Sequence, residues 1–345
     1  MTEMPKTTEV ESPLLEVRGL CKYFPVFSKG FIQRQIATVK AADDVSFKLH
    51  RGETLGLVGE SGCGKTTTAR TILRALEPTA GEILFRPGAK THDLATLSSA
   101  ELKPLRQQMQ MIFQNPFASL NPRMTVGDIV GEPLIIHKLA SVSERTDRVS
   151  EMLEKVGLRA EHMNRYPHAF SGGQRQRIGI ARALIMNPAL VVADEAVSAL
   201  DVSVQAQVIN LLDDLQEELN LTYVFVAHDL SVVRHICDHV AVMYAGRIVE
   251  IAETAAVFEE PTHPYTLGLM SAIPHPDPDR SMSYEMSGEV ADPADLPAGC
   301  SFHPRCAYKQ DRCAEEVPEL LEIEPGRSSA CHFSDQVRQQ GARAG

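Results

Sequence analysis

The chain has 345 residues, 43% of them hydrophobic and 23% charged, and carries a formal net charge of −11. That composition is ordinary for a globular protein of roughly two domains, and its acidic balance excludes extended nucleic-acid binding, which asks for a basic surface. No apolar run is long enough to span a bilayer, and the opening MTEMPKTTEVESP lacks a basic-then-apolar layout, so neither a membrane span nor export is expected.

In chain order, strand-like runs fall at Leu14–Val17, Thr54–Val58, Gly81–Phe85, Met109–Phe113, Leu190–Asp194, Tyr223–Ala227 and Val240–Met243. Helical patterns alternate with them as far as about residue 260. Leu190–Ala193 and Val224–Ala227 are continuously apolar, as strands covered on both faces of a mostly parallel sheet are. Helices are predicted over Val126–Leu139 and Ser143–Val156, forming a helical insertion. Another is predicted over Val202–Leu219, where Val204, Val208, Leu211, Leu215 and Leu219 make one apolar stripe. After Ile273 the segment PHPDPDRSMSYEMSGEVADPADLP, rich in proline and acids, reads as a linker over the surface. A short, loop-rich, cysteine-bearing tail follows it. No internal repeat is found.

Three motifs carry chemistry. In LGLVGESGCGKTTT, an apolar run breaks into a loop in which Gly59, Gly62 and Gly64 can take positive φ and leave backbone N–H groups free to face phosphate oxygens. Lys65 adds a point charge, Thr66 a hydroxyl for Mg²⁺, and the helix opening at Lys65 the positive end of its dipole. In ALVVADEA, Asp194 and Glu195 end a buried strand, where one acid can hold Mg²⁺ through water and the other can orient or deprotonate an attacking water. In FSGGQRQRIGIARAL, Ser171 is a good N-cap, and Gly172 and Gly173 open a second anion-binding helix start. One triphosphate does not need two such starts from one subunit. The loop and the Ser171–Gln174 turn are therefore best used by two subunits arranged head to tail with nucleotide between them.

These motifs resemble those of the ATP-binding cassette ATPases over roughly residues 14–260. Gly59–Thr67 matches the Walker A loop, Leu190–Glu195 the Walker B strand, Phe170–Gln174 the signature, Gln114 the Q-loop, Ser198–Asp201 the D-loop and His228 the switch histidine. The resemblance implies an α/β P-loop NTPase with a RecA-like core, an antiparallel β subdomain, a helical subdomain at about 115–188 and a small cysteine-rich extension. Residues 1–260 would be the nucleotide-binding domain and 261–345 the extension. It implies ATP bound by Gly59, Ser61, Gly62, Cys63, Gly64, Lys65, Thr66 and Thr67, with Phe24 stacking on adenine and Tyr23 as the alternative. Mg²⁺ would be held through Thr66, Gln114 and Asp194, and catalysis carried by Glu195, His228 and Gln114. Ser171, Gly172, Gly173, Gln174 and Asp201 would serve the partner's nucleotide.

MIFQNPFASLNPRMTV, DEAVSALDVSVQAQ, MYAGRIVE and EEPTHPYTLGLMSAIP resemble the oligopeptide and dipeptide import branch, and the wording VSALDVS is similar to the second of its two paralogous ATPases. This implies a heterodimer with the other paralogue, two transmembrane permease subunits, an extracytoplasmic substrate-binding protein and no nucleic acid. The chain would act peripherally at the cytoplasmic face of the cell (inner) membrane. Phe113 and Phe117 are candidates for permease contact or for core packing. The competing reading is a soluble cassette ATPase acting on DNA or ribosomes; such relatives carry coiled-coil inserts or two cassettes, and these 345 residues hold neither.

Of seven cysteines, Cys21, Cys63 and Cys237 are scattered and read as buried hydrophobes. Cys300, Cys306, Cys313 and Cys331 are clustered with spacing C-x5-C-x6-C-x17-C and suggest a metal centre, zinc or iron–sulfur, although spacing alone does not choose between these and no metal. The resemblance implies a [4Fe–4S] cluster, with Zn²⁺ as the alternative. His303 and His332 nearby read as ordinary surface histidines.

Overall fold

The computed structural model describes residues 12–29, 34–272, 286 and 288–344. The chain opens with β1 (Leu15–Phe27) and β2 (Gln35–Leu49), an antiparallel pair, followed by the short buried β3 (Thr54–Val58). The glycine-rich loop leads into α1 (Lys65–Ile72), after which β4 (Ala80–Phe85) and β5 (His92–Asp93) return to β1. Then come α2 (Ser99–Leu105), opened by a Ser98–Glu101 capping box, β6 (Met109–Ile112) and the single turn α3 (Pro116–Ser119).

Two inserted helices follow, α4 (Val126–Ile136) and α5 (Val142–Lys155), the first capped by Thr125 and the second by a Ser141–Glu144 box. Next are α6 (Gly172–Leu184), β7 (Leu190–Asp194), α7 (Val202–Leu219), β8 (Thr222–Val226), α8 (Leu230–Ile236), β9 (His239–Tyr244) and β10 (Arg247–Glu253). The chain closes with α9 (Thr254–Glu259), α10 (Pro264–Ser271), α11 (Asp311–Glu315), β11 (Leu321–Glu324), β12 (Arg327–Ser329) and α12 (Ser334–Ala344).

Among the described residues the strands form two sheets. The smaller is antiparallel, in the order β2-β1-β4-β5, and the larger runs β11-β12-β10-β9-β3-β8-β7-β6. Its centre, from β9 to β6, is parallel, and β10, β12 and β11 extend it antiparallel. Side chains of a strand alternate between faces, and here both faces are covered. Val191, Ala193, Tyr223, Phe225, Val240 and Val242 pack beneath the helices, while Leu190, Val192, Val224, Val226, Ala241 and Met243 pack toward the small sheet. That double burial explains why these strands read as unbroken apolar runs. Among the described residues no helix is long and apolar enough to cross a membrane.

The predicted strands Thr54–Val58 and Leu190–Asp194, and the helix Val202–Leu219, have the bounds expected of them. The other predicted strands are present with ends shifted by one residue, except the first, which runs on to Phe27. Several register shifts along β1 and β2, with Asp44 at φ 61°, break the two-residue alternation that would reveal both strands in full. The tail is also more ordered than its loop-rich reading, because β12 pairs with β10 and joins the main sheet. Of the predicted linker, 274–285 and 287 lie outside the described residues. Its latter part lies against the core, with the Ala291 N–H on the Tyr244 hydroxyl and the Lys40 N–H on the Pro293 carbonyl.

Candidate functional site

The glycine-rich loop connects β3 to α1 at the carboxyl end of the parallel strands, where ligands of such sheets bind. Two of its glycines are there for space as well as for φ. At Gly59 (φ 149°) a Cβ would lie 2.2 Å from the Met243 carbonyl oxygen, and at Gly64 (φ 109°) 1.9 Å from that of Ala41. Gly64 is also the N-cap of α1. Lys65 is buried, and its Nζ donates to the carbonyls of Gly59 at 2.7 Å and Glu60 at 3.0 Å. Thr66 Oγ1 donates to Asp194 Oδ1 at 2.8 Å across the gap between α1 and β7. Arg70, one turn further along α1, places Nη2 3.5 Å from the other Asp194 oxygen.

Glu195 leaves the strand end in the left-handed region, at φ 48°. Its backbone N–H donates to the Val226 carbonyl, so the main chain of β8 fixes the turn. Gln114 Nε2 donates to Glu195 Oε2 at 2.5 Å, and His228 Nδ1 stands 3.7 Å from the same oxygen. Lys65, Thr66, Asp194, Gln114, Glu195 and His228 are thus brought together from four separate stretches of chain. A buried cation, hard oxygen donors and a carboxylate held by an amide and an imidazole form a set suited to binding and cleaving a phosphoanhydride.

The signature turn is not part of that cluster. Ser171 Oγ accepts from the Gln174 N–H at 3.3 Å while Gln174 Oε1 accepts from the Ser171 N–H at 3.1 Å, a local capping box with Ser171 exposed. Gly173 allows close approach to α7, since a Cβ there would lie 2.4 Å from Val204 Cγ1. Asp201 is the N-cap residue of α7 and makes no side-chain capping bond.

Phe24 is 36% exposed on β1, with Lys22 Nζ 4.9 Å from its ring centre. Tyr23 is occupied: its hydroxyl donates to Asp43, which Arg247 also grips at 2.7 and 2.9 Å. Phe113 is 42% exposed beneath the Arg182 guanidinium, and the side chain of Phe117 lies outside the described ones.

Cys63 and Cys237 are buried as expected, but Cys21 is only half-buried and its sulfur accepts from the Tyr23 hydroxyl and the Asp44 N–H. Cys300, Cys306, Cys313 and Cys331 all line one cavity and form no disulfide. Burial raises the Cys300 thiol and pushes Cys306 up to about 11 and Cys331 up to about 12. Among the described residues, no group of three or more His, Cys, Asp or Glu side chains is arranged to hold a metal ion. His303 and His332 line the same cavity rather than open surface, each with a ring nitrogen on a carbonyl oxygen, of Cys300 at 2.9 Å and of Glu316 at 3.1 Å.

Comparison with known proteins agrees with this geometry. Residues 42–198 match the family model described as ABC transporter, and residues 249–313 match that of the oligopeptide/dipeptide transporter C-terminal region. The oligopeptide transport ATP-binding protein AppF of Bacillus subtilis (strain 168) is 51% identical over 331 residues, 95% of this chain and 99% of that protein. The putative peptide import ATP-binding protein BOV_A0347 of Brucella ovis is 54% identical over 322 residues, 93% of this chain and 98% of that one. Among solved structures, the ATP-binding cassette MJ0796, a dimer in a post-hydrolysis state bound to ADP and Pi, is 29% identical with a TM-score of 0.60. That match covers 70% of this chain and 98% of that one. The chain therefore belongs to the ABC transporter ATP-binding family, as an ATPase of its oligopeptide/dipeptide transporter branch.

Proposed function

We propose that this chain hydrolyses ATP to power the import of di- or oligopeptides, as one of two paralogous ATPases on the cytoplasmic face of the inner membrane, beside two permeases and an extracytoplasmic binding protein. No nucleic acid takes part. The observation that carries the reading is the meeting of Gln114, Glu195 and His228 beside Lys65, Thr66 and Asp194. The names of AppF and the Brucella protein support peptide cargo.

In this reading residues 1–260 form the nucleotide-binding domain and 261–345 an extension. Lys65 and the amides of Gly59, Ser61, Gly62, Cys63, Gly64, Thr66 and Thr67 hold the phosphates, and Phe24 stacks on adenine. The oxygen donors of Thr66, Asp194 and Gln114 fit Mg²⁺, which when bound neutralises phosphate charge. Glu195 orients the attacking water and takes its proton, Gln114 fixes the carboxylate, and His228 faces the γ-phosphate. The exposed Ser171–Gln174 turn and Asp201 complete the pocket of the partner, so hydrolysis awaits closure of the two subunits.

The support for a [4Fe–4S] cluster is that four thiols line one cavity. Its cysteines each hold a different iron and need not meet at one point, whereas a single zinc ion asks four ligands to converge tetrahedrally. Backbone N–H groups beside the sulfurs, such as that of Phe333 donating to Cys331 Sγ at 3.4 Å, suit thiolate ligands.

In the assembled transporter Glu195→Gln is expected to lower peptide-stimulated ATP turnover by about 100-fold or more while nucleotide binding persists. Parental turnover in that variant would reject the role of Glu195. Turnover that no peptide stimulates would reject the cargo.

A further inference from the structure

Glu60, the second residue of the loop, is held at three points. Its N–H donates to the Tyr265 hydroxyl at 2.8 Å, and its carbonyl accepts from Lys65 Nζ at 3.0 Å. Its carboxylate is gripped by both ends of one guanidinium, with Arg305 Nη1 on Oε2 at 2.8 Å and Nη2 on Oε1 at 3.0 Å. Arg305 lies 245 residues further along the chain, in the short segment between Cys300 and Cys306.

This is a built contact rather than a chance surface pair. The Arg305 side chain is 7% exposed and that of Glu60 24%. The guanidinium stands 5.9 Å from the ring centre of Tyr244 and 5.8 Å from that of Phe302, and those rings pack with Tyr265. A planar fork clamped by aromatic rings meets a carboxylate in one orientation, which a flexible ammonium would not reproduce. Among the described residues Arg305 Nε is buried with no hydrogen-bond partner, while both terminal nitrogens are on the Glu60 carboxylate.

We infer that Arg305 is a positioning residue for nucleotide: through Glu60 it fixes the peptide whose carbonyl holds the Lys65 ammonium, and so couples phosphate binding to the four-cysteine lobe. The inference rests on the reading of Gly59–Thr67 as the triphosphate cradle. Coupling is reciprocal, so nucleotide that orders the loop also steadies the segment from Cys300 to Cys306.

The test uses the full-length chain, with equilibrium binding of Mg·ATP and hydrogen exchange of the 299–306 segment as readouts. Arg305→Gln and Glu60→Gln are each expected to weaken Mg·ATP binding by about 5-fold or more, and the double variant to be no weaker than the worse single one. Arg305→Lys should fall between parent and Arg305→Gln. In the assembled transporter, turnover at saturating ATP should change less than KM. Mg·ATP should slow exchange of the segment in the parent and in neither variant. Parental affinity in both single variants, or additive losses in the double, would overturn the inference. If Arg305→Gln does not fold, Glu60→Gln, on the more exposed side of the pair, decides alone. Lys65→Ala separates the two readings. If it retains parental affinity the cradle itself is wrong; if it loses nucleotide while Glu60→Gln does not, only the coupling is.

Discussion

Glu195 is one of the few non-glycine residues with positive φ, and it sits where the water-activating carboxylate is proposed. Strain of this kind persists only where the surroundings hold it, here the Val226 carbonyl on its N–H and Gln114 on its side chain. A different local device operates at His263. It is fully buried, caps α10 by accepting the Tyr265 N–H on Nδ1 at 3.1 Å, and burial pushes its imidazole down to about 3. The folded chain thus refuses a proton that the unfolded chain takes up below its ordinary value near 6.5. The group costs nothing above that pH, and stability falls as acid is added from there down to about pH 3. The slope is roughly 1.4 kcal/mol per pH unit. Denaturant titrations of parent and His263→Gln across that window are expected to show a shallower slope in the variant; equal slopes would reject the assignment.

The element that matters most for assembly is α6. Its N-cap is satisfied within the turn, so Ser171 contributes to the isolated chain only what a cap contributes. Ser171→Ala should cost about 1 kcal/mol of stability. If the exposed turn serves the nucleotide of a partner, the same change should lower turnover of the assembled transporter by about tenfold or more, beyond what one lost cap explains. Thermal melting beside steady-state hydrolysis distinguishes the two, and parental turnover would leave Ser171 a cap alone. Elements of this kind were legible in advance because their signals are local. The glycine-rich loop, the Ser171 cap and the α7 stripe each lie within about twenty residues or fewer, and periodicity reports such spans. Much of β1 and all of β2 escaped because bulges erase the alternation that marks a strand.

At the scale of the whole molecule, the tail is structurally continuous with the ATPase core. β12 extends the main sheet through β10, and Arg327, 6% exposed, reaches the fully buried Glu250 at 3.5 Å. Burial pushes the Glu250 carboxyl up, while hydrogen bonds from Thr262 and the His263 N–H oppose that shift. The four thiols therefore sit in a lobe whose geometry the core helps to set. Metal analysis of the chain purified without oxygen is expected to find about four irons with matching acid-labile sulfide, the content of one [4Fe–4S] cluster. One zinc ion, or no metal, would reject the cluster.

The sequence alone determined the phosphate loop, the strand-end acids, the capped signature helix and the cysteine spacing, since each is a short segment whose chemistry and backbone needs are written in neighbouring residues. Gln114 and His228 were recognisable only through family resemblance, because nothing beside them in the chain marks their role. Only the tertiary structure decided that Arg305 meets Glu60, that Arg70 backs Asp194 and that Tyr23 is engaged by Asp43 while Phe24 stays partly exposed. Those contacts join residues far apart in the chain, and the sheet order that closes the gaps comes from burying both faces of the central strands together, a condition no single stretch of sequence can express.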